Sequence, residues 1–241
     1  MSKLLARQFS DAEAKDWRQS IFDIYARMKR KADKPYEVNY GGLDLTVFPS
    51  VYAPEFFDDS LWYAKELTKI VGDKSLLEIG TGTGVIAIIC ALRGGAKVTA
   101  TDINPAAVHN ATINAGRYKL PIVVKQGNVY SPLTSDEKFD YIFWAHPFND
   151  WDIKVNDSLL LTGIDPRYES LKKYITEARE HLRAGGKLLL GTGDTANLEH
   201  IDTIAKKNGY TLNLLRESDR PLEVDGEKYI KDIIYEFTEQ P

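Results

Sequence analysis

The chain has 241 residues, 43% hydrophobic and 27% charged, with a formal net charge of −4 and a pI of about 5.7. That balance excludes a disordered chain and disfavours a broad nucleic-acid-binding surface, which shows as a basic patch or stripe. The single cysteine, Cys90, excludes an internal disulfide, and no run reaches the ~18–20 apolar residues of a membrane span, so a cytoplasmic protein is expected. The N-terminus also lacks the apolar stretch of a signal peptide. Cys90 lies in an apolar run and is read as a small core residue.

In chain order, residues 11–33 predict a helix, with Trp17, Ile21, Ile24, Tyr25 and Met28 at helical spacing and Asp11 as N-cap. The cluster Arg27, Lys29, Arg30, Lys31 and Lys34 reads as its solvated end rather than a nucleic-acid site. Pro35 stops the helix, 36–46 reads as a hairpin turning at Gly41-Gly42, and an aromatic loop follows at 48–54. A second helix is expected over 58–71. From residue 75 strands (75–79, 97–101, 122–126, 139–144, 187–190) alternate with helices (84–93, 105–119, 168–182, 198–207). Two closing strands, 211–216 and 229–237, are expected as an antiparallel hairpin linked by Asp219–Glu227. This order predicts an α/β fold with a mainly parallel, seven-stranded, Rossmann-like sheet covered by helices on both faces. Residues 1–57 form an N-terminal extension to a ligand-binding domain at 58–241.

The central signal is the strand-to-turn segment Glu78-Ile79-Gly80-Thr81-Gly82-Thr83-Gly84. Glycines are needed where the backbone turns sharply or meets a ligand closely. The spacing is G-x-G-x-G, not the G-x-G-x-x-G of dinucleotide binders. Asp102 ends the next strand, which in a parallel sheet sets its carboxylate beside the glycine loop, able to accept both hydroxyls of a ribose. The competing role, capping the helix at Pro105, suits Asn104 better.

With these residues the chain resembles the class I S-adenosylmethionine-dependent methyltransferases, over roughly residues 50–238. The resemblance implies S-adenosylmethionine as cofactor, its methionine part against Glu78, Gly80, Thr81, Gly82 and Gly84 and its ribose on Asp102, with Ile103 beside it. It also implies that Asn128 and Val129 flank the adenine and that Ala145 borders the site. The layout is similar to the small-domain branch, including release-factor glutamine and nucleic-acid amino methyltransferases, which carries Asn-Pro-Pro-Tyr/Phe after the fourth strand. Here the segment reads Ala145-His146-Pro147-Phe148. Alanine cannot accept a hydrogen bond from an acceptor NH₂, which puts amide or adenine methylation in question.

His146 and Phe148 are the candidate catalytic residues. His146 is either a base that deprotonates or orients the acceptor, or a loop residue without a chemical part. The long loop 149–165, with Asp150, Asp152, Asp157 and Asp165, reads as an acceptor-binding segment or as a soluble connector. His109, His181 and His200 are expected at surface or helix-end positions, and no spacing suggests a metal site. The expected activity is methyl transfer to N or O of a small molecule or protein side chain, with nucleic acid less favoured. Two alternatives stand beside it. The Ala145-His146 departure suits an inactive cofactor-binding partner or regulatory protein. Gly191-Thr192-Gly193-Asp194-Thr195-Ala196 meets the NAD-dependent oxidoreductase pattern, but too few strands follow to complete that domain; the loop is read as bordering the acceptor pocket.

Overall fold

The computed structural model describes residues 4–219, 222–224 and 228–240. Helix α1 (Asp11–Lys31) starts from a capping box in which Ser10 and Glu13 satisfy each other's backbone N–H groups. The cap is thus Ser10 rather than Asp11, which sits in the first turn. The hairpin β1 (Tyr36–Tyr40) and β2 (Leu43–Val47) turns at Gly41 and Gly42, both with positive φ. Helix α2 (Asp59–Val71) leads into the sheet.

The remaining elements are β3 (Ser75–Ile79), α3 (Val85–Ile89), β4 (Lys97–Asp102), α4 (Pro105–Arg117), β5 (Val123–Gln126), β6 (Phe139–Ala145), α5 (Glu169–Glu177), β7 (Leu182–Gly193), α6 (Leu198–Lys207) and β8 (Tyr210–Glu217). A short hairpin, β9 (Leu222–Val224) and β10 (Lys228–Ile230), precedes β11 (Asp232–Glu239). The seven-stranded sheet has the order β5-β4-β3-β6-β7-β11-β8, with β11 antiparallel to both neighbours and the other ladders parallel. The chain winds outward from β3 to β5, then returns to lay β6 on the other side of β3. That reversal opens a crevice at the carboxyl ends of β3 and β6, where ligands of open α/β sheets bind.

Strand alternation sets the two cores. Leu77, Ile142, Trp144, Leu188, Leu190, Ile233 and Tyr235 face α5 and α6. Their neighbours Leu76, Phe143, Leu189 and Ile234 face α2 and α3, with Cys90 fully buried among them. The period of two in each strand, apolar on both sides, is the mark of a sheet covered on both faces. A third cluster joins α1 (Trp17, Ile21, Ile24, Tyr25, Met28) to Val47, Ala53, Phe57, Leu159 and Ile230.

Several elements differ from their sequence expectation. The helix after the glycine loop is α-helical only to Ile89 and continues as a π-turn over Cys90–Gly94. The strand expected over 187–190 runs from Leu182 to Gly193, because pairing of Phe139 with Leu182 extends the ladder across Gly185 and Gly186. The helix expected from Tyr168 begins at Glu169 and tightens into a 3-10 turn at Ala178–Glu180. The last strand divides at Lys231, whose N–H bonds the Asp194 carboxylate; only from Asp232 onward does the chain pair with β7. The expected link Asp219–Glu227 lies partly outside the described residues, Pro221 and Gly226 included. Among the described residues no helix is long and apolar enough to cross a membrane.

Candidate active site

The glycine loop folds as its residue types demand. Gly80, Gly82 and Gly84 have φ of 65, 55 and 82°, the left-handed region that side chains resist. Two of them are also needed for space. A Cβ on Gly80 would come to 2.8 Å from Trp144 Nε1, and one on Gly84 to 3.1 Å from the Ala111 Cβ. At Gly82 a Cβ would meet nothing within 4 Å. Its side of the loop faces a cavity of about 470 Å³.

Glu78, at the end of β3, is only 2% exposed, and its Oε2 accepts a 2.6 Å hydrogen bond from the Thr81 hydroxyl. Burial pushes its carboxyl up to about 8, opposed by the Thr81 bond and assisted by the neighbouring Asp102 charge. Asp102, at the end of β4, accepts N–H bonds from Gly82 (3.0 Å) and Asn104 (2.8 Å), so its carboxylate is fixed against the glycine loop. Burial raises its pKa, while those N–H groups favour the charged form. Asn104 caps α4, accepting from the Ala106 N–H at 3.0 Å, which leaves Asp102 free of capping duty. Ile103, 57% exposed, offers an apolar surface beside it.

After β5, Asn128 is exposed and Val129 is buried, both lining the same cavity. Val129 has φ of 56°, an uncommon conformation for a β-branched residue; its carbonyl accepts from the Thr101 hydroxyl at 3.2 Å. Strain of this kind gathers at ligand sites. Ala145 ends β6 beside Gly191 and lines the cavity.

His146 is 2% exposed, with its Nε2 paired to the Thr192 hydroxyl at 2.9 Å and its ring edge-on to Trp144 and Tyr168. Burial holds its pKa down to about 3, so the ring is neutral at ordinary pH. Phe148 is half-buried and touches all three cores; the Tyr168 hydroxyl donates to its carbonyl at 2.6 Å. Tyr168 and Arg167 both have φ of 53°, so the chain bends sharply where it presents that hydroxyl.

The four aspartates of the 149–165 loop have structural partners. Asp165 accepts the N–H groups of Ser170 and Leu171, Asp150 meets Asn197 and His200, Asp157 pairs with Lys29, and Asp152 faces Arg167 at 3.8 Å. His181, expected at a surface or helix-end position, caps the 3-10 turn Ala178–Glu180 and is buried there: its Nδ1 meets the Glu137 carbonyl and its ring stacks on Tyr130. Among the described residues no His/Cys/Asp/Glu group could hold a metal.

Eleven of the twelve residues expected at the site line this one cavity; the exception, Gly84, packs against Ala111 of α4 instead. Sequence reading missed others that do the same. Trp17, Ile21 and Tyr25 of α1 close one side, and Asp59 and Asp232 contribute carboxylates from α2 and β11. A helical apolar stripe gives no sign of covering a pocket rather than a core, and α2 and β11 meet only after the sheet has formed.

The cavity, Asp102 and the open side of Gly82 fit a nucleoside carrying an amino-acid tail, and comparisons with known proteins agree. The profile of the methyltransferase small domain matches residues 43–213. A provisionally named protein N5-glutamine methyltransferase of Methanocaldococcus jannaschii is 33% identical over 188 residues, 76% of this chain and 92% of that protein. The release factor glutamine methyltransferase of Vibrio cholerae is 30% identical over 211 residues, 79% of this chain and 71% of that protein. The ribosomal RNA small subunit methyltransferase C of a Haemophilus influenzae strain is 33% identical over 114 residues, and the chain spans only 30% of its length. Among solved structures, a methyltransferase from Pyrococcus furiosus superposes with a TM-score of 0.60 at 20% identity, covering 91% of this chain and 97% of that one. The chain therefore belongs to the methyltransferase small-domain family and is an S-adenosylmethionine-dependent methyltransferase.

Proposed function

We propose that the chain transfers a methyl group to a nitrogen on a protein side chain that enters the cavity beside Phe148. The carrying observation is that one continuous cavity joins the glycine loop and Asp102 to Ala145–Asn149 and to α1. Asp102 accepts the ribose hydroxyls, Ile103 and Asn128–Val129 flank the adenine, and the 80–84 loop with Glu78 holds the methionine part. Bound there, S-adenosylmethionine supplies an electrophilic methyl on a sulfonium. The buried, low-dielectric Glu78 and Asp102 favour that positive charge.

The chain's own contribution is positioning, because transfer needs a nitrogen lone pair aligned with the methyl. His146 acts here as a neutral support: its bond to Thr192 and its ring contacts fix the segment that leads to Phe148. A ring that protonates only near pH 3 is a weak base for neutral chemistry. Helix α1, from the 1–57 extension, walls the acceptor side, so we assign it to the catalytic unit. The named relatives above act on protein glutamine or ribosomal RNA; the net charge of −4 favours a protein acceptor over RNA. A cytoplasmic location suits such an acceptor.

Calorimetric titration with S-adenosylhomocysteine and S-adenosylmethionine tests the cofactor half. Transfer of tritiated methyl from S-adenosylmethionine into a fractionated protein extract, and separately into RNA, tests the acceptor half. Label in protein is the expected result. Label in RNA alone would overturn the acceptor class, and ligand binding with no label anywhere would favour the inactive-partner reading.

A further inference from the structure

The acceptor end of the cavity holds two carboxylates that the methyl-donor site does not use. Asp232 sits at the start of β11, is 1% exposed and lines the cavity. Its Oδ1 is reached by the Tyr63 hydroxyl at 3.3 Å, and its buried Oδ2 has no hydrogen-bond partner among the described residues. Asp59, in the first turn of α2, lines the same cavity; its Oδ1 accepts from the Ser60 N–H at 2.6 Å and the Tyr52 hydroxyl at 3.2 Å. The rings of Trp17, Tyr25, Tyr52 and Phe148 line the same cavity, and the Tyr52 hydroxyl touches Asp59.

We propose that Asp59 and Asp232 form the recognition site for a protonated amine, so that the methyl acceptor is an ammonium-bearing side chain of the lysine type and not a carboxamide. This rests on the reading of the cavity as the acceptor site. A buried carboxylate oxygen without a partner is costly, and the Asp59 charge adds to that cost for Asp232. A single ammonium removes it: three N–H donors can meet Oδ2 of Asp232 and the Asp59 carboxylate, and the aromatic walls favour a cation further. A carboxamide brings no charge and does nothing to favour the ionised form of the pair. The position where relatives of the small-domain branch carry an asparagine is Ala145, so the usual carboxamide-holding group is absent as well.

The same pair provides for the proton. An ammonium nitrogen has no lone pair until one N–H bond breaks; its proton goes to a carboxylate of the pair and the electron pair stays on nitrogen. Burial pushes Asp59 up to about 6, with the Asp58 charge adding to it, and Asp232 well above the usual carboxylate range, with the Asp59 charge adding to it, so either group in its ionised form is a fit proton acceptor.

The test uses two probes, Nα-acetyl-lysine methylamide and Nα-acetyl-glutamine methylamide, titrated at pH 7.5 into the full chain with and without saturating S-adenosylhomocysteine. Binding is followed by NMR shifts, which read weak affinities. Wild type should prefer the lysine probe by about tenfold, a difference of about 1.4 kcal/mol. Asp232→Asn and, independently, Asp59→Asn should reduce that preference to about threefold or less. Thermal melts establish that each variant is folded, and the wild-type preference stands as evidence even if one is not. Equal affinity for the probes, preference for the glutamine probe, binding of neither, or an undiminished preference in both folded variants overturns the proposal. Failure of S-adenosylhomocysteine to bind wild type would instead sink the cofactor assignment, which the probe titrations without it do not depend on.

Discussion

Glu78 gives the most demanding prediction. It is held at 2% exposure, and burial carries its carboxyl from the ordinary 4.5 to about 8. The folded state therefore binds a proton that the unfolded state has released anywhere between those values. With more protons on the native side, unfolding free energy falls as pH rises through this window. The stabilising contribution is fully present below about 4.5 and lost as pH passes 8. Across the full 3.5 units the linkage amounts to about 5 kcal/mol, of which about 3.5 kcal/mol falls between pH 5 and pH 8.

Glu78→Gln removes the titration while keeping an oxygen for the Thr81 hydroxyl. Urea unfolding of wild type and variant, measured every half unit from pH 5 to pH 8.5, should give curves whose difference shifts by about 2–4 kcal/mol in favour of the variant toward high pH. Taking the difference removes the titrations that the two proteins share, such as Asp165. A difference that stays flat with pH would mean that Glu78 is ionised in the folded protein, and the argument from burial would be wrong.

The same proton predicts that S-adenosylmethionine, which brings positive charge near Glu78, binds with proton release at pH 7. Calorimetry in two buffers of different ionisation enthalpy should give different apparent enthalpies, and identical values would contradict it. Asp102→Ala should weaken S-adenosylhomocysteine by about 10²–10⁴-fold, since it deletes an ionised acceptor worth about 1.5–3 kcal/mol per hydrogen bond to each of two hydroxyls. Retention of affinity within threefold would remove Asp102 from the ribose site. Gly80→Ala should lower stability by about 2–4 kcal/mol, from the left-handed backbone and the 2.8 Å approach to Trp144, whereas Gly116→Ala, where a Cβ meets nothing within 4 Å, should cost far less; thermal melts compare them. The two His146 nitrogens should keep neutral-ring NMR shifts from pH 8 down to pH 5, because burial places protonation near 3; a transition near pH 6 would restore it as a base.

Much of the site was legible because its chemistry is local. The strand, the three glycines and Asp102 lie within residues 75–102, and each residue type answers a backbone or ligand requirement. The alternating apolar pattern and the β-α order likewise specified a doubly covered parallel sheet. His146 is the contrary case. Its residue type suggested a proton carrier, but the protonation state of an imidazole depends on what surrounds it, and here that is Trp144, Phe148 and Tyr168. Val129, Arg167 and Tyr168 take positive φ without any glycine to announce it, since packing around them and not their own preference sets the backbone.

Sequence by itself determined the fold class, the glycine loop and the acid that faces it, because periodicity and glycine spacing act over neighbouring residues. Tertiary structure alone decided the end of the cavity that lies away from the glycine loop. Asp59 and Asp232 stand 173 positions apart and become neighbours of one cavity only when β11 inserts beside β7 and α2 packs over the sheet. Trp17 and Tyr25 complete that end because α1 folds back across it. Long-range burial, which gathers charge and aromatic rings from distant segments, leaves no local signature in the order of residues.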